Sequence, residues 1–483
     1  MRPFASASRL WAGFRYRLRE VPWARSLRFR LRPAAERSEL EHNIHYLYVE
    51  IFWAAIFSAV FAFNATYALR LGATNQMVGL LSSLPALFAM VIMVPVARFL
   101  ETRKRITPWL IVTLVMARLG FLSAAFVPWI FPNRAAQLVI FLLVLRTIPI
   151  TFFNTGFSPM LADVIPERDR ARVFANRNII LSAVTALTTF LSGLWLDSAQ
   201  GWTWAVFPLN YQLLYIVGGI AALASAFYVA KIRPPVRPKR APARVPASPP
   251  ISEPSSAAEV PAAGTVSRRW SWGRLRQVVG DMLAFEFREH RPFMRITANT
   301  LFFNLGAWMV GPLYTIFFVR ELEASDSWIG LNATLANLGV IVGYALWRRW
   351  INRLGDQRAL LISIPFSASY GLLVPMFPNL TLILGFGVLI NLINSGVNLS
   401  HTNVFYRVCP EERRASYMAA YSSIMNAGAF VSPMIGVALA EVIDIRWMLL
   451  IGAAARLLGA FTFHLWKVEE PVPVEGLQPS TVS

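Results

Sequence analysis

Glu50 is the residue of this sequence best suited to exchange a proton inside a membrane. It lies about one and a half turns into an apolar segment, residues 45–69, and no other acidic residue lies so far from the ends of such a segment. Burial disfavours the charged form of a carboxyl group, which is what proton coupling requires. The alternative is a structural glutamate that forms a salt bridge near the cytoplasmic rim. The sequence leaves both roles open.

Arginines inside apolar segments are the next candidates. Arg146 lies within residues 135–162, and it is interpreted either as an anchor for an anionic substrate or as a structural partner of Glu50. Arg118 and Arg456 also lie within apolar segments. We expect both to be structural and to bond to backbone carbonyls or to acidic residues of the inner loops.

Two apolar segments, residues 135–162 and 380–407, carry matching stripes of uncharged polar side chains at the spacing of one helical face. The stripes contain Thr147, Thr151, Asn154 and Ser158 in the first segment and Asn391, Asn394 and Asn398 in the second. One offset superimposes Thr151 on Asn391 and Ser158 on Asn398. Such residues also join helices within membranes. Because amides that face lipid are unfavourable, we predict instead that the stripes line a cavity.

Two further segments, residues 45–69 and 296–319, add aromatic surface to this predicted cavity. The side chains that we predict to line the cavity are Trp53, Phe57 and Asn64 in the first segment and Asn304, Trp308 and Thr315 in the second. Aromatic surface beside a few hydrogen-bonding groups is typical of a pocket for a small organic molecule. The stripes hold little fixed charge, which favours neutral or amphipathic solutes.

The composition of the chain is that of a membrane protein. Hydrophobic residues make up 56% of it and charged residues 15%, against about 25% charged in soluble domains. This composition disfavours both a soluble enzyme and a disordered chain. Twelve segments, numbered spans 1 to 12, reach the roughly 20 apolar residues that cross a bilayer. They are residues 45–69, 76–97, 106–130, 135–162, 173–197, 208–231, 296–319, 327–347, 357–377, 380–407, 414–440 and 446–466. With the one cysteine, Cys409, and no histidine pair at ligand spacing within a span, we expect no disulfide, metal or cofactor.

Basic residues are distributed unevenly between the loops. If the N-terminus is cytoplasmic, the basic residues of the outside loops are only Arg70, Arg134, Arg320 and Arg446, among 46 in the chain. This bias predicts a plasma (inner) membrane protein with both termini in the cytoplasm. The net charge of +20 then faces the anionic lipids of the inner leaflet and does not call for a nucleic-acid partner.

The chain contains an internal repeat. Residues 71–80 align with 322–331, residues 166–171 with 410–415, and residues 154–156 with 394–396. The matches occupy corresponding places in two sets of six spans, and a proline-rich linker separates the sets. We therefore divide the chain into a basic N-terminal tail (1–44), a six-helix bundle (45–231), a linker with an interfacial helix (232–295), a second six-helix bundle (296–467) and a C-terminal tail (468–483).

The duplicated layout and the inner loop after span 8 give the chain a family resemblance. This loop, residues 348–358, is a degenerate copy of the pattern Gly-x-Leu-Ala-Asp-Arg-x-Gly-Arg-Arg, and over residues 45–467 the chain resembles the major facilitator superfamily. The resemblance implies a transporter whose two bundles rock around a cavity lined by spans 1, 4, 7 and 10. Arg146 is similar to the span-four arginine that is linked to coupling in the family's proton-driven exporters.

Charged residues at the predicted cytoplasmic ends of the spans are candidates for a gate. They are Glu167 and Arg170 after span 4, Arg353 and Asp356 in the loop after span 8, and Glu411 and Arg414 after span 10. We expect them to form gating salt bridges or to be solvated charges, which contribute only about 0–1 kcal/mol per exposed pair.

The sequence thus predicts an all-α membrane protein with twelve transmembrane helices in two pseudo-symmetric bundles. The predicted function is secondary active transport of a small organic solute by a monomer, with proton coupling through Glu50 as a hypothesis. A transporter-like sensor or scaffold is the alternative. A membrane enzyme is disfavoured because no cluster of histidines, cysteines and acids for metal or nucleophile chemistry is found in the sequence.

Overall fold

The computed structural model describes residues 38–103, 105–234, 290–409 and 414–466, which are helical with short connections and contain no strand. Twelve of the described helices are long and apolar enough to cross a membrane, and the predicted fold class is confirmed. They are α1 Glu39–Arg70, α2 Asn75–Glu101, α3 Thr107–Ile130, α4 Pro132–Val164, α5 Glu167–Ala199, α6 Leu209–Ala230, α7 Arg291–Glu321, α8 Asp326–Leu354, α9 Asp356–Met376, α10 Leu380–Val408, α11 Arg414–Ala440 and α12 Ile445–Leu465. The predicted interfacial helix of the linker and nearly all of both tails lie outside the described residues.

Some helices begin earlier than the apolar pattern predicts. Helix α1 starts at Glu39, where the Ser38 hydroxyl accepts the N–H of Glu41 at 3.2 Å and acidic residues occupy the first turn. Both features favour a helix N-terminus. Helix α5 likewise starts at Glu167, directly after Pro166. These polar first turns carry no apolar signal, so the sequence predicts the crossing better than it predicts the helix start.

Two central helices of the first bundle are interrupted. Helix α1 narrows to a 3₁₀ turn over Phe61–Phe63, and α4 breaks at Arg146. The break in α4 has a local cause, because Pro149 has no N–H to donate to the carbonyl of Leu145. Discontinuous helices of this kind occur in membrane proteins where backbone or side chains serve a binding site.

An aromatic column holds the first bundle together. The rings of Tyr67 and Tyr211 stack at 4.9 Å, those of Phe121 and Tyr215 stack at 4.8 Å, and all four side chains are fully buried. These rings come from α1, α3 and α6, so the column joins helices that are distant in sequence. Aromatic pairs at this separation add about 0.5–1.5 kcal/mol each beyond the burial of their area.

In the second bundle, small residues allow α7 and α12 to approach closely. A Cβ atom added to Gly306 would lie 2.5 Å from the backbone nitrogen of Arg456, and one added to Gly459 would lie 2.5 Å from backbone atoms of Phe303. Close backbone contact of this kind favours the association of helices inside membranes, because it increases van der Waals packing.

Candidate functional site

The two bundles are joined at one end of the molecule, where α1, α5, α7 and α11 end and α2, α6, α8 and α12 begin. We call this the closed end. Asp326, the first residue of α8, is fully buried there. Its Oδ1 accepts hydrogen bonds from the Arg70 guanidinium at 2.9 and 3.1 Å and from the Tyr211 hydroxyl at 2.6 Å. A carboxylate of the second bundle is therefore held by two side chains of the first.

The internal repeat produces a reciprocal contact. Arg320, at the end of α7, donates to the Asn75 side-chain oxygen and to the Ala73 carbonyl, each at 2.6 Å. Asn75 aligns with Asp326 in the internal repeat, and Arg320 lies one residue before the position that aligns with Arg70. Each bundle thus extends an arginine from the end of its first helix to the start of the other bundle's second helix.

Two acidic residues at corresponding places in the repeat, Asp197 and Glu441, also bind across the bundles at the closed end. The carboxylate of Asp197 accepts the backbone N–H groups of Asp326 at 2.9 Å and Ser327 at 3.1 Å, which caps the N-terminus of α8. In the other half, Glu441 accepts a hydrogen bond from the side chain of Gln76 at 2.9 Å. Asp197 and Glu441 both lie near the closed ends of repeat-related helices, α5 and α11, so the closure has an approximate two-fold pattern.

Glycines allow the helices of the two bundles to approach closely at this end. A Cβ atom on Gly193 of α5 would lie 2.7 Å from the backbone oxygen of Asp326, and one on Gly330 of α8 would lie 2.8 Å from that of Thr189. In the corresponding pair of α2 and α11, a Cβ atom on Gly79 would lie 3.1 Å from Val437. The closed end therefore depends on backbone packing as well as on polar bonds.

The predicted gate residues that the structure describes near the opposite end form no bond between the bundles. Arg170 donates to the Ala162 carbonyl at 2.9 Å within the first bundle. Asp356 is buried within the second bundle, where it accepts from Asn403 at 2.7 Å and pairs with Arg407.

Four predicted gate residues remain. Glu167 and Arg353 are exposed. Glu411 and the Arg414 side chain lie outside the described part of the structure. In this conformation the polar bonds that link the bundles among the described residues cluster at the closed end. A gate at the opposite end stays a prediction.

Glu50 forms a buried ion pair with Arg177 of α5. Its carboxylate lies 2.9 Å from the Arg177 guanidinium and accepts from the Ser225 hydroxyl at 3.2 Å. Arg177 also donates to the Leu47 carbonyl at 2.7 Å, and Glu50 and Arg177 are 5% and 7% exposed. Arg177 lies inside predicted span 5. A charged residue within that apolar segment is the sequence signal that identifies Arg177 as a candidate partner of Glu50. Pairing with Glu50, one of the two roles left open for Arg146, is not found among the described contacts.

Arg118 and Arg146 lie on aromatic faces. The Arg118 guanidinium lies 4.0 Å from the centre of the Phe57 ring, and that of Arg146 lies 4.5 Å from the centre of Phe61. In both arginines the buried Nε has no hydrogen-bond partner among the described residues. The expected bonds of Arg118 to carbonyls or loop acids are not found. A cation–π contact contributes about 0.5–2 kcal/mol, whereas removing an unpaired charge from water costs several kcal/mol, so the rings do not compensate for burial.

The predicted cavity residues fall into two groups. Phe57 is buried in the first bundle against Phe121, and Asn64 accepts a hydrogen bond from Tyr215 at 2.6 Å. These two serve packing in this conformation, because their side of α1 faces α3 and α6. Thr147 donates to the Val144 carbonyl at the break in α4.

The second group is at least partly accessible. Asn154, Ser158 and Asn398 are exposed, and they lie in the parts of α4 and α10 that are remote from the closed end. The half-buried members of the group are Trp53, Thr151, Asn304, Trp308, Thr315, Asn391 and Asn394. Asn394 lies about two helical turns before His401, which is 2.7 Å from the Thr300 hydroxyl of α7. That face of α10 is therefore directed toward α7.

Comparison with known proteins gives a consistent result. The sequence profile of the Major Facilitator Superfamily matches residues 47–285 and 296–482. No curated protein sequence matches the chain.

Solved structures share the fold at low identity. A mutant of the nucleoside transporter NupG is 11% identical with a TM-score of 0.61, and the match covers 88% of this chain and 99% of that one. An inward-facing, unoccupied bacterial homologue of the human lysosomal transporter Spinster is 14% identical with a TM-score of 0.57, covering 89% and 99%. A POT family transporter in complex with a thioalcohol-conjugated peptide is 10% identical with a TM-score of 0.60, covering 88% and 95%.

Proposed function

The chain belongs to the major facilitator superfamily of secondary membrane transporters, and we propose that it moves a small organic solute by alternating access. The observation that carries the proposal is the repeat-related set of bonds at the closed end, in which Arg70 binds Asp326 and Arg320 binds Asn75. Rocking of the bundles breaks both contacts together, because each contact links the same two bodies. A set of polar contacts that is duplicated along the repeat suits an interface that opens and closes.

The orientation of this state follows from the loop charges. Loops at the closed end hold few basic residues, which supports an orientation with that end outside the cell and both termini in the cytoplasm, in the plasma membrane. The structure is then the inward-open state. Exposed amides such as Asn154 and Asn398 would be costly against lipid, so they favour a water-filled crevice at the cytoplasmic side.

The solute would bind between the accessible faces of α1, α4, α7 and α10. The side chains that would contact it are Trp53, Thr151, Asn154, Ser158, Asn304, Trp308, Thr315, Asn391, Asn394 and Asn398. Indole surface would cover apolar parts of the solute, and amides and hydroxyls would orient its polar groups. Gly428 supports this arrangement, because a Cβ atom there would lie 2.9 Å from the indole of Trp308, so a larger residue would displace the indole.

Uptake and efflux in proteoliposomes test the proposed function. A panel of labelled small solutes is offered with and without an imposed pH gradient, and protein-free liposomes set the background. We expect saturable flux of at least one solute class. Saturable binding without flux for any solute would instead identify a transporter-like sensor and contradict the proposal.

The buried Glu50–Arg177 pair is the proposed site of proton coupling. Protonation of Glu50 would release Arg177 from its ion pair, and the altered charge balance of the first bundle would then bias the rocking equilibrium. Ser225 of α6 also binds this carboxylate, so the proton would change contacts among α1, α5 and α6 together.

Glu50→Gln should abolish solute-driven proton flux, because the amide cannot exchange a proton. The measurement is the internal pH of proteoliposomes that contain a pH-sensitive dye, after addition of a transported solute. Since the single variant leaves Arg177 buried and unpaired, the double variant Glu50→Gln/Arg177→Gln serves as the control for folding. Undiminished coupling in a folded variant would remove Glu50 from the mechanism.

Asp326→Asn should open the closed end. Loss of the carboxylate leaves Arg70, whose side chain is 30% exposed, with a neutral partner, and a hydrogen bond to a charged group contributes about 1.5–3 kcal/mol. The population should shift at least about tenfold toward the state that is open at this end. The measurement is the distance between spin labels at Gln200 and Glu323 in a Cys409→Ser background, which removes the only native cysteine. An unchanged distance distribution would show that Asp326 does not hold the closure.

A further inference from the structure

The first bundle contains more buried positive charge than its own acids balance. Arg118, Arg146 and Arg177 come from α3, α4 and α5, and Glu50 is the one carboxylate that pairs with any of them among the described residues. Glu50 is already engaged by Arg177 and by Ser225. Arg118 interacts electrostatically with both Glu50 and Arg146, so these groups form one charged cluster.

Arg118 and Arg146 have the geometry of an incomplete site. Arg118 is 6% exposed, and its Nε has no partner. Arg146 is half-buried, so it is the more accessible of the two. Each guanidinium lies over a ring, and the remaining N–H donors have no acceptor among the described residues. A planar guanidinium offers several donors in a fixed geometry that fits a carboxylate or a phosphate.

The backbone around Arg146 supplies an independent observation. Helix α4 breaks at Arg146, and the ring below its guanidinium, Phe61, begins the 3₁₀ turn that interrupts α1. Two transmembrane helices are therefore discontinuous at one place, next to unpaired donors. In transporters, substrate sites are typically formed where membrane helices are interrupted.

We propose that Arg146 and Arg118 bind an oxyanion group of the transported solute, either a carboxylate or a phosphate. The inference rests on the proposed transport function and narrows its substrate class. The anionic group would contact Arg146 first, with Arg118 behind it, and would supply the missing negative charge. Phe57, Phe61 and Phe121 surround the cluster and keep water away from it, which strengthens a charge-assisted hydrogen bond. This proposal departs from the sequence-based preference for neutral or amphipathic solutes.

Thermal unfolding of the purified full chain in a neutral detergent tests this site. The probes are benzoate and phenyl phosphate, each compared with the neutral isostere benzamide and with chloride at constant ionic strength. A ligand that binds the folded state raises the melting temperature in a saturable way. We expect saturation with at least one oxyanion and none with benzamide or chloride. The oxyanion that saturates at the lower concentration shows whether a carboxylate or a phosphate is recognised.

Arg146→Gln should raise the half-saturating concentration of that oxyanion at least about tenfold, because it removes a charge-assisted contact. Arg146→Lys retains the charge but not the planar donor pair, so it should give an intermediate value. This variant keeps the test informative if the glutamine variant does not fold. Arg134→Gln, at an exposed position, makes the same change in net charge. Arg456→Gln removes a half-buried arginine that lies 4.6 Å from the centre of the Phe303 ring in the second bundle. Both controls should bind as the parent chain does.

Three results would overturn the inference. They are the lack of saturable stabilisation by either oxyanion, equal stabilisation by chloride, and loss of binding in Arg456→Gln with retention in Arg146→Gln. Because melting requires no membrane gradient, the outcome is separate from that of the transport assay. Anion binding without flux of any solute in the proteoliposome panel would retain the site and contradict transport. Flux of a neutral solute without anion binding would support transport and contradict the anion site.

Discussion

Gly193→Leu should abolish transport while the protein remains folded. In the closed state a side chain at Gly193 would collide with the backbone of α8, since even a Cβ atom would lie 2.7 Å from the Asp326 oxygen. Overpacking costs about 1–3 kcal/mol where side chains can adjust, and backbone atoms adjust less. The state with this end closed should therefore be depleted at least about tenfold, and cycling should stop. Solute flux in proteoliposomes and the label distance between Gln200 and Glu323 measure the effect.

Gly385→Leu is the matched control for this prediction. Gly385 lies near the start of α10, and no heavy atom outside its own local backbone lies within 4 Å of a Cβ atom placed there. The same change in volume should therefore leave flux and label distances near those of the parent chain. Equal flux in the Gly193 and Gly385 variants would show that close contact of α5 and α8 is not needed for the transport cycle.

Arg177→Met should destabilise the first bundle strongly. The substitution leaves Glu50 buried, 5% exposed, and without its guanidinium partner. Removal of one partner of a buried ion pair costs about 3–5 kcal/mol, because the remaining charge stays out of water. The expected result is a clear fall in the melting temperature of the detergent-purified protein. Size-exclusion chromatography of heated samples measures it.

Arg172→Met is the corresponding control on the same helix. Arg172 pairs with Asp169 at 2.7 Å, but its side chain is 44% exposed, and exposed pairs contribute about 0–1 kcal/mol. Its melting temperature should stay close to that of the parent chain. Adding Glu50→Gln to Arg177→Met should recover part of the loss, since no charge then remains unpaired. If the Arg177 and Arg172 variants melted alike, the buried pair would have no role in stability.

Much of the fold was accessible to sequence reasoning. Spans of about 20 apolar residues must cross the bilayer as helices, because lipid offers no partner for backbone N–H and C=O groups. The internal repeat even placed Asn75 in register with Asp326, and both residues later proved to lie at the closed end. Periodicity also identified Asn154 and Asn398 as polar positions, and both are exposed in the structure.

The partners of the charged side chains could not be predicted from the sequence. Glu50 and Arg177 belong to different helices, α1 and α5, and helical periodicity describes each helix only with respect to itself. Which face of α1 meets α5 depends on the packing of all six helices, and that packing turned Phe57 and Asn64 inward as well. Arg118 and Arg146 were visible as intramembrane charges, but the lack of a counter-charge appeared only when their neighbours were in place.

The sequence alone determines the twelve membrane crossings, the internal duplication and the uneven distribution of basic residues between the loops. Each depends on the local match between side chains and their solvent. The tertiary structure decided which end of the molecule is closed and which residues close it. An alternating-access protein has two arrangements of similar free energy for one sequence. Local patterns are identical in both, so only the contacts between the bundles, such as Arg70 with Asp326, distinguish them.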